Sequence, residues 1–111
     1  MDIAFCTTKL QKRFNSEREL IREYGPENSR IIIRRMAVLR AAVNLEQVPS
    51  LPPERRHELT GTRKGQFAVD LKHPFRLIFT PNHEPVPLKA DGGVDLQQIT
   101  AITVQCVKDY H

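Results

Sequence analysis

The chain has 111 residues, of which 40% are hydrophobic and 27% charged, and it carries a formal net charge of +4. That length supports one two-layer core and excludes a second, so a single domain over residues 1–111 is expected. The composition excludes a disordered polymer, and no run of 18 apolar residues is present to make a membrane-spanning helix.

The first residues, Met1-Asp2-Ile3-Ala4, lack the basic segment and long apolar stretch of a secretion signal, which makes the cytoplasm the expected location. Residues 3–6 are short and apolar and read as an opening strand. Thr8 and Gln11 form a candidate capping box. Leu10, Phe14, Glu17, Ile21 and Tyr24 then fall mostly on one helical face, and Gly25-Pro26 supplies a stop.

A second helix is expected from about Glu27, because Ile32, Met36, Leu39 and Val43 recur at spacings of four, three and four. Arg30, Arg34, Arg35 and Arg40 lie largely off that stripe, so they are expected to face water, a protein antagonist or nucleic acid. Two helices joined this closely make a hairpin. The proline-rich stretch 48–53 is an irregular link, after which the periodicity changes from 3.6 to 2.

Phe67, Val69 and Leu71 alternate with polar or small residues, as do Phe75, Leu77 and Phe79. Lys72-His73-Pro74 joins the two strands, with Pro74 tolerated at the beginning of the second. Residues 81–98 hold three prolines and Asp91-Gly92-Gly93, a protruding loop or second small hairpin. Residues 99–107 alternate as a closing strand. The expected order is β-α-α-β-β-β, an α+β fold with a helical hairpin packed on one face of a mostly antiparallel sheet. The other face is then free for function.

Charge is unevenly placed. From Arg30 to Arg76 there are ten Lys/Arg against four acidic residues, a surplus of six, which leaves the remainder of the chain at −2. A basic middle suits a phosphate-binding face, although a solvated helix surface gives the same count. Cys6 and Cys106 both fall in apparent strands and are expected to be reduced and structural; a redox pair requires the first and last strands to be neighbours.

Several kinds of chemistry find no support. The histidines at 57, 73, 83 and 111 have no paired spacing, so no metal site and no cofactor are expected. Gly61-Thr62-Arg63-Lys64-Gly65 lacks the Lys-Ser/Thr of a phosphate loop and opens a strand. Ser16, Ser29 and Ser50 lack the sharp turn of a hydrolase nucleophile.

What remains is His57, Arg63, Lys64, Arg76, Asp109, Tyr110 and His111, the last three closing the chain. Cleaving an RNA phosphodiester without metal needs a base for the 2′-hydroxyl, an acid for the leaving 5′-oxygen, and cations for the phosphoryl oxygens. Histidine, with an ordinary pKa of about 6.5, serves either proton role near neutrality, whereas tyrosine, at about 10, does so only beside cations. His57 or His111 is therefore favoured for proton transfer, and Tyr110 for positioning or stacking. Each also has an ordinary reading: His57 as a polar residue beside the link, Arg76 as an ion pair with Asp70, Tyr110 as cover for the sheet edge.

The pattern Arg56-His57-Glu58-Leu59, Gly61, Gly65-Gln66-Phe67, Phe75-Arg76-Leu77-Ile78-Phe79 and terminal Asp109-Tyr110-His111 resembles the HigB toxins of the RelE/ParE superfamily. The resemblance covers nearly the whole chain. It implies a RelE-like fold and a ribosome-dependent mRNA endonuclease, neutralised by a helix-turn-helix antitoxin through which alone it would meet operator DNA. It implies that His57, Asp109, Tyr110 and His111 form the catalytic set, with Lys64 and Arg76, and Arg63 beside them, on phosphate. Phe67 and Phe75 stand where the family commonly has tryptophan, and the 81–98 segment lengthens the final connection. Superfamily membership does not fix activity, so a gyrase poison of the ParE kind, or an inactive module working only in a repressor complex, stands beside the nuclease.

Overall fold

A computed structural model of the chain describes residues 1–109, which form a five-stranded sheet with two helices on one face. The strands are β1 (Asp2–Phe5), β2 (His57–Glu58), β3 (Phe67–Asp70), β4 (Phe75–Pro81) and β5 (Ala101–Asp109), ordered β1-β5-β4-β3-β2 across the sheet. Every pairing is antiparallel except β1 with β5, which is parallel. The helices are α1 (Thr8–Phe14) and α2 (Glu17–Ala41). This is the expected α+β arrangement with its helical hairpin, enlarged by one two-residue strand at His57.

The helices divide differently from the expected pattern. Thr7, not Thr8, caps α1 by accepting from the Leu10 amide, and Ser16 opens α2 by accepting from the Glu19 amide. This break at Asn15 and Ser16 shifts the helical phase, so Leu20 is buried while Ile21 is 41% exposed. Gly25, at φ 85°, still interrupts the helix ahead of Pro26, as a residue without a Cβ readily does. Ile32, Met36 and Leu39 are buried, while Val43 lies beyond the end of α2 and is exposed.

The main core packs Leu10, Phe14, Leu20, Ile32, Met36 and Leu39 of the helices against Phe67, Val69, Leu77, Phe79, Ile102 and Val104 of the sheet. Segment 81–98 takes the second of its two expected forms, a small hairpin. Leu88 bridges to Val94, and Val86, Val94 and Leu96 pack on that core, which covers apolar edges that a looser loop would leave wet. Among the described residues no helix is long and apolar enough to cross a membrane.

A bulge in β5 decides what the second sheet face carries. Ile78 pairs with Cys106 but Phe79 pairs with Val104, so Gln105 is the extra residue. Val104 and Val107 therefore both meet the helix-side core, while Cys106 turns to the opposite face. That face is not bare: Ala68 and Ile78 are fully buried there with Leu59, and Cys106 packs against them.

Candidate functional site

Residues directly opposite one another in a sheet share a face. One row on the helix-free face runs His57, Ala68, Ile78, Cys106, and the next runs Asp70, Arg76, Lys108. His57 thus enters the sheet through β2 on the same face as Arg76, two strands away and one row over. With strands roughly 4.8 Å apart and a rise of about 3.4 Å per residue, their Cα atoms are separated by about 12 Å, within reach of two long side chains converging on one phosphate.

His57 has a defined hydrogen bond. Its Nδ1 lies 2.7 Å from the carbonyl oxygen of Arg55. A carbonyl only accepts, so Nδ1 carries the proton and the neutral ring keeps its lone pair on Nε2. Nε2 is enclosed and has no hydrogen-bond partner among the described residues. The site therefore holds a proton acceptor that a substrate reaches only by displacing what covers it.

Two arginines meet one carboxylate on this face. Asp70 lies 3.3 Å from Arg55 and 3.9 Å from Arg76, and Lys108 is the Cα partner of Arg76 on β5. The ordinary reading of Arg76, an ion pair across the hairpin, is thus present, and it does not remove the residue from the site. Both Lys108 and Arg63 act electrostatically on Cys106: burial pushes this thiol above its usual value, and those two cations pull the other way. Arg63, from the 3-10 turn Gly61–Arg63, is therefore near enough to act on that thiol.

Other expected residues are placed differently. Lys64 lines a separate cleft of about 250 Å³, shared with Glu58, Val86, Leu88 and Gly92, between the β2–β3 connection and the 81–98 segment. Asp109 ends β5 opposite Phe75, one position past Lys108, and two strands lie between it and His57. Three strand spacings and the offset from Cys106 to Asp109 put the Asp109 and His57 Cα atoms about 18 Å apart, too far for a direct pair. Tyr110 and His111 lie outside the described residues.

Arg55, Asp70 and Lys108 join the site without having been expected. Lys108 could have been read from its one-residue distance to the Asp109 motif. Arg55 could not, because its exposure to the sheet face follows from a left-handed backbone, φ 47°, that its sequence context does not announce.

No protein-family model matches the chain, and no curated protein matches it. The residues themselves must therefore carry the functional argument. Cys6 and Cys106 are both free, and Cys6 is exposed just beyond β1, not buried in it. Its thiol donates to the Gln105 carbonyl at 3.2 Å, which brings it beside β5. The neighbouring strands that a redox pair requires are present, yet burial disfavours the Cys106 thiolate. Among the described residues no three His, Cys, Asp or Glu side chains gather as metal ligands.

Proposed function

We propose that the chain is an endoribonuclease toxin of the HigB kind, a cytoplasmic protein that cuts mRNA on the ribosome and is held inactive by a helix-turn-helix antitoxin. The observation that carries this reading is the His57 imidazole, with its Nε2 lone pair preserved, on the sheet face that also holds Arg76 and Lys108, with Arg55 paired to Asp70 there and Arg63 acting on the neighbouring Cys106. The terminal Asp109-Tyr110-His111 motif supports it through the resemblance.

In the proposed reaction, His57 Nε2 takes the proton of the 2′-hydroxyl as the 2′-oxygen attacks phosphorus. A 2′,3′-cyclic phosphate forms while the bond from phosphorus to the 5′-oxygen breaks. The leaving oxygen receives a proton from a general acid, a role proposed for His111, the other histidine favoured for proton transfer. Arg76 and Arg63 hold the phosphoryl oxygens as charge builds, and the planar fork of arginine suits two oxygens at once. Isolated basic side chains over one face are a modest electrostatic footprint, so most of the affinity for message would come from the ribosome.

The test is to map transcript 5′ ends after induction. Cuts inside translated codons support the nuclease. Intact messages accompanied by DNA breakage favour gyrase poisoning and overturn it.

A further inference from the structure

We infer that Arg35, buried on the opposite side of the sheet from His57, is a positioning residue that fixes the tautomer of the His57 imidazole. The inference deepens the proposed nuclease reading, and its first half does not depend on it. Arg35 was expected to face water. Instead its side chain is 9% exposed, because it points inward from α2 beneath the segment that leads into β2.

Among the described residues its hydrogen bonds and ion pair fall on that segment and on its neighbour in β3. Nε donates to the Asp70 carbonyl at 2.7 Å, one terminal nitrogen donates to the Pro53 carbonyl at 3.2 Å, and the other lies 3.7 Å from the Glu54 carboxylate. The Asp70 amide in turn donates to the Glu54 carbonyl at 2.8 Å. Residues 53 and 54 are therefore pinned from two sides by one guanidinium and one strand end.

The next residue receives the consequence. Arg55 sits at φ 47°, a region disfavoured for any residue with a Cβ, so it holds only while its neighbours over-determine it. Its side chain is tethered to Asp70 and its carbonyl receives His57 Nδ1–H at 2.7 Å. The Arg55 amide also donates to the Leu51 carbonyl at 3.0 Å and the Arg56 amide to the Pro49 carbonyl at 2.9 Å. Release of residues 53–54 would therefore loosen this peptide at one of its holds, let its carbonyl shift, and let the imidazole carry its proton on Nε2 in part of the population. A ring protonated there has lost the lone pair that a general base needs. Orientation of the imidazole by a group that never meets substrate follows the same logic as outer partners that set histidine tautomers elsewhere.

The experiment uses the full chain, uniformly labelled with ¹⁵N, and reads the two ring nitrogens of His57 by long-range proton–nitrogen correlation with the ring neutral. His57→Gln identifies the signals. The expected wild-type pattern is a protonated Nδ1 and a lone-pair Nε2. In Arg35→Lys, which keeps the charge but loses the fork, the two shifts should move toward each other. The single-turnover cleavage rate should fall about ten- to a hundredfold, with KM held within about twofold. Glu54→Gln, a milder change, is read in the same way and decides the matter should Arg35→Lys not fold. Wild-type protein with its proton on Nε2, or a folded variant with unchanged nitrogen shifts, overturns the inference. Shifts that move in a chain that never cleaves message uphold the relay and overturn the nuclease.

Discussion

The Arg55 carbonyl holds Nδ1 of His57 at 2.7 Å, so a backbone group decides which ring nitrogen remains basic. It also separates two kinds of substitution at position 57. His57→Ala removes the proposed base, and loss of general base catalysis is worth about 10²- to 10⁴-fold in rate. His57→Asn keeps a donor that can reach the Arg55 carbonyl but offers no comparable base. Both should lose the proposed cleavage while the protein still folds, which single-turnover assays and circular dichroism will check.

Asp70 gathers two arginines, and its loss should show in activity more than in stability. The Arg55 and Arg76 side chains are 50% and 31% exposed, and ion pairs this solvated contribute about 1 kcal/mol or less. Asp70→Asn is therefore expected to shift the midpoint of thermal unfolding only slightly. Cleavage should fall by a larger factor, because the cations lose their shared anchor. A melting curve beside a cleavage assay on the same sample makes the comparison.

Gly25 is the position where the helical hairpin depends on a missing Cβ. At φ 85° no neighbouring atom lies within 4 Å of where a Cβ would stand, so crowding is absent and only backbone strain opposes a side chain. With ψ 162°, this residue sits in an extended positive-φ region that only glycine readily occupies. Gly25→Ala should therefore destabilise the protein by about 1–3 kcal/mol, measured by denaturant unfolding. Function should follow stability alone.

The two thiols should be distinguishable by reactivity. Cys6 is exposed, whereas burial raises the Cys106 thiol above its ordinary pKa, so less thiolate is present at any pH below that value. Alkylation at mildly alkaline pH should modify Cys6 first, with Cys106 following only as pH rises or the protein unfolds. Mass spectrometry of timed samples will show the order.

Much of the scaffold was legible because its signals are local. The alternation through Phe67 to Leu71 and Phe75 to Phe79, the stop at Gly25-Pro26 and the stripe at Ile32, Met36 and Leu39 each express a period that burial imposes. Ser16 with Glu19 is itself a capping pattern, but the surrounding apolar spacing masked the break it makes. Arg35 was misplaced for a different reason. A helical wheel assigns charge to solvent, and nothing local reveals that carbonyls from residues 53 and 70 and the Glu54 carboxylate will meet that guanidinium inside. The site was legible as a set of residue types and not as an arrangement. The β5 bulge, which turns Cys106 and Lys108 onto the His57 face, depends on pairing with β4 and leaves no mark in the alternation of residues 99–107.

The most direct measurement incubates purified protein with message on programmed ribosomes, beside His57→Ala, and analyses the ends produced. The account predicts cuts within the codon in the decoding site, a cyclic phosphate or its hydrolysis product on one fragment and a 5′-hydroxyl on the other, all lost in the variant. Uncut message with wild-type protein, or equal cleavage by His57→Ala, would contradict it.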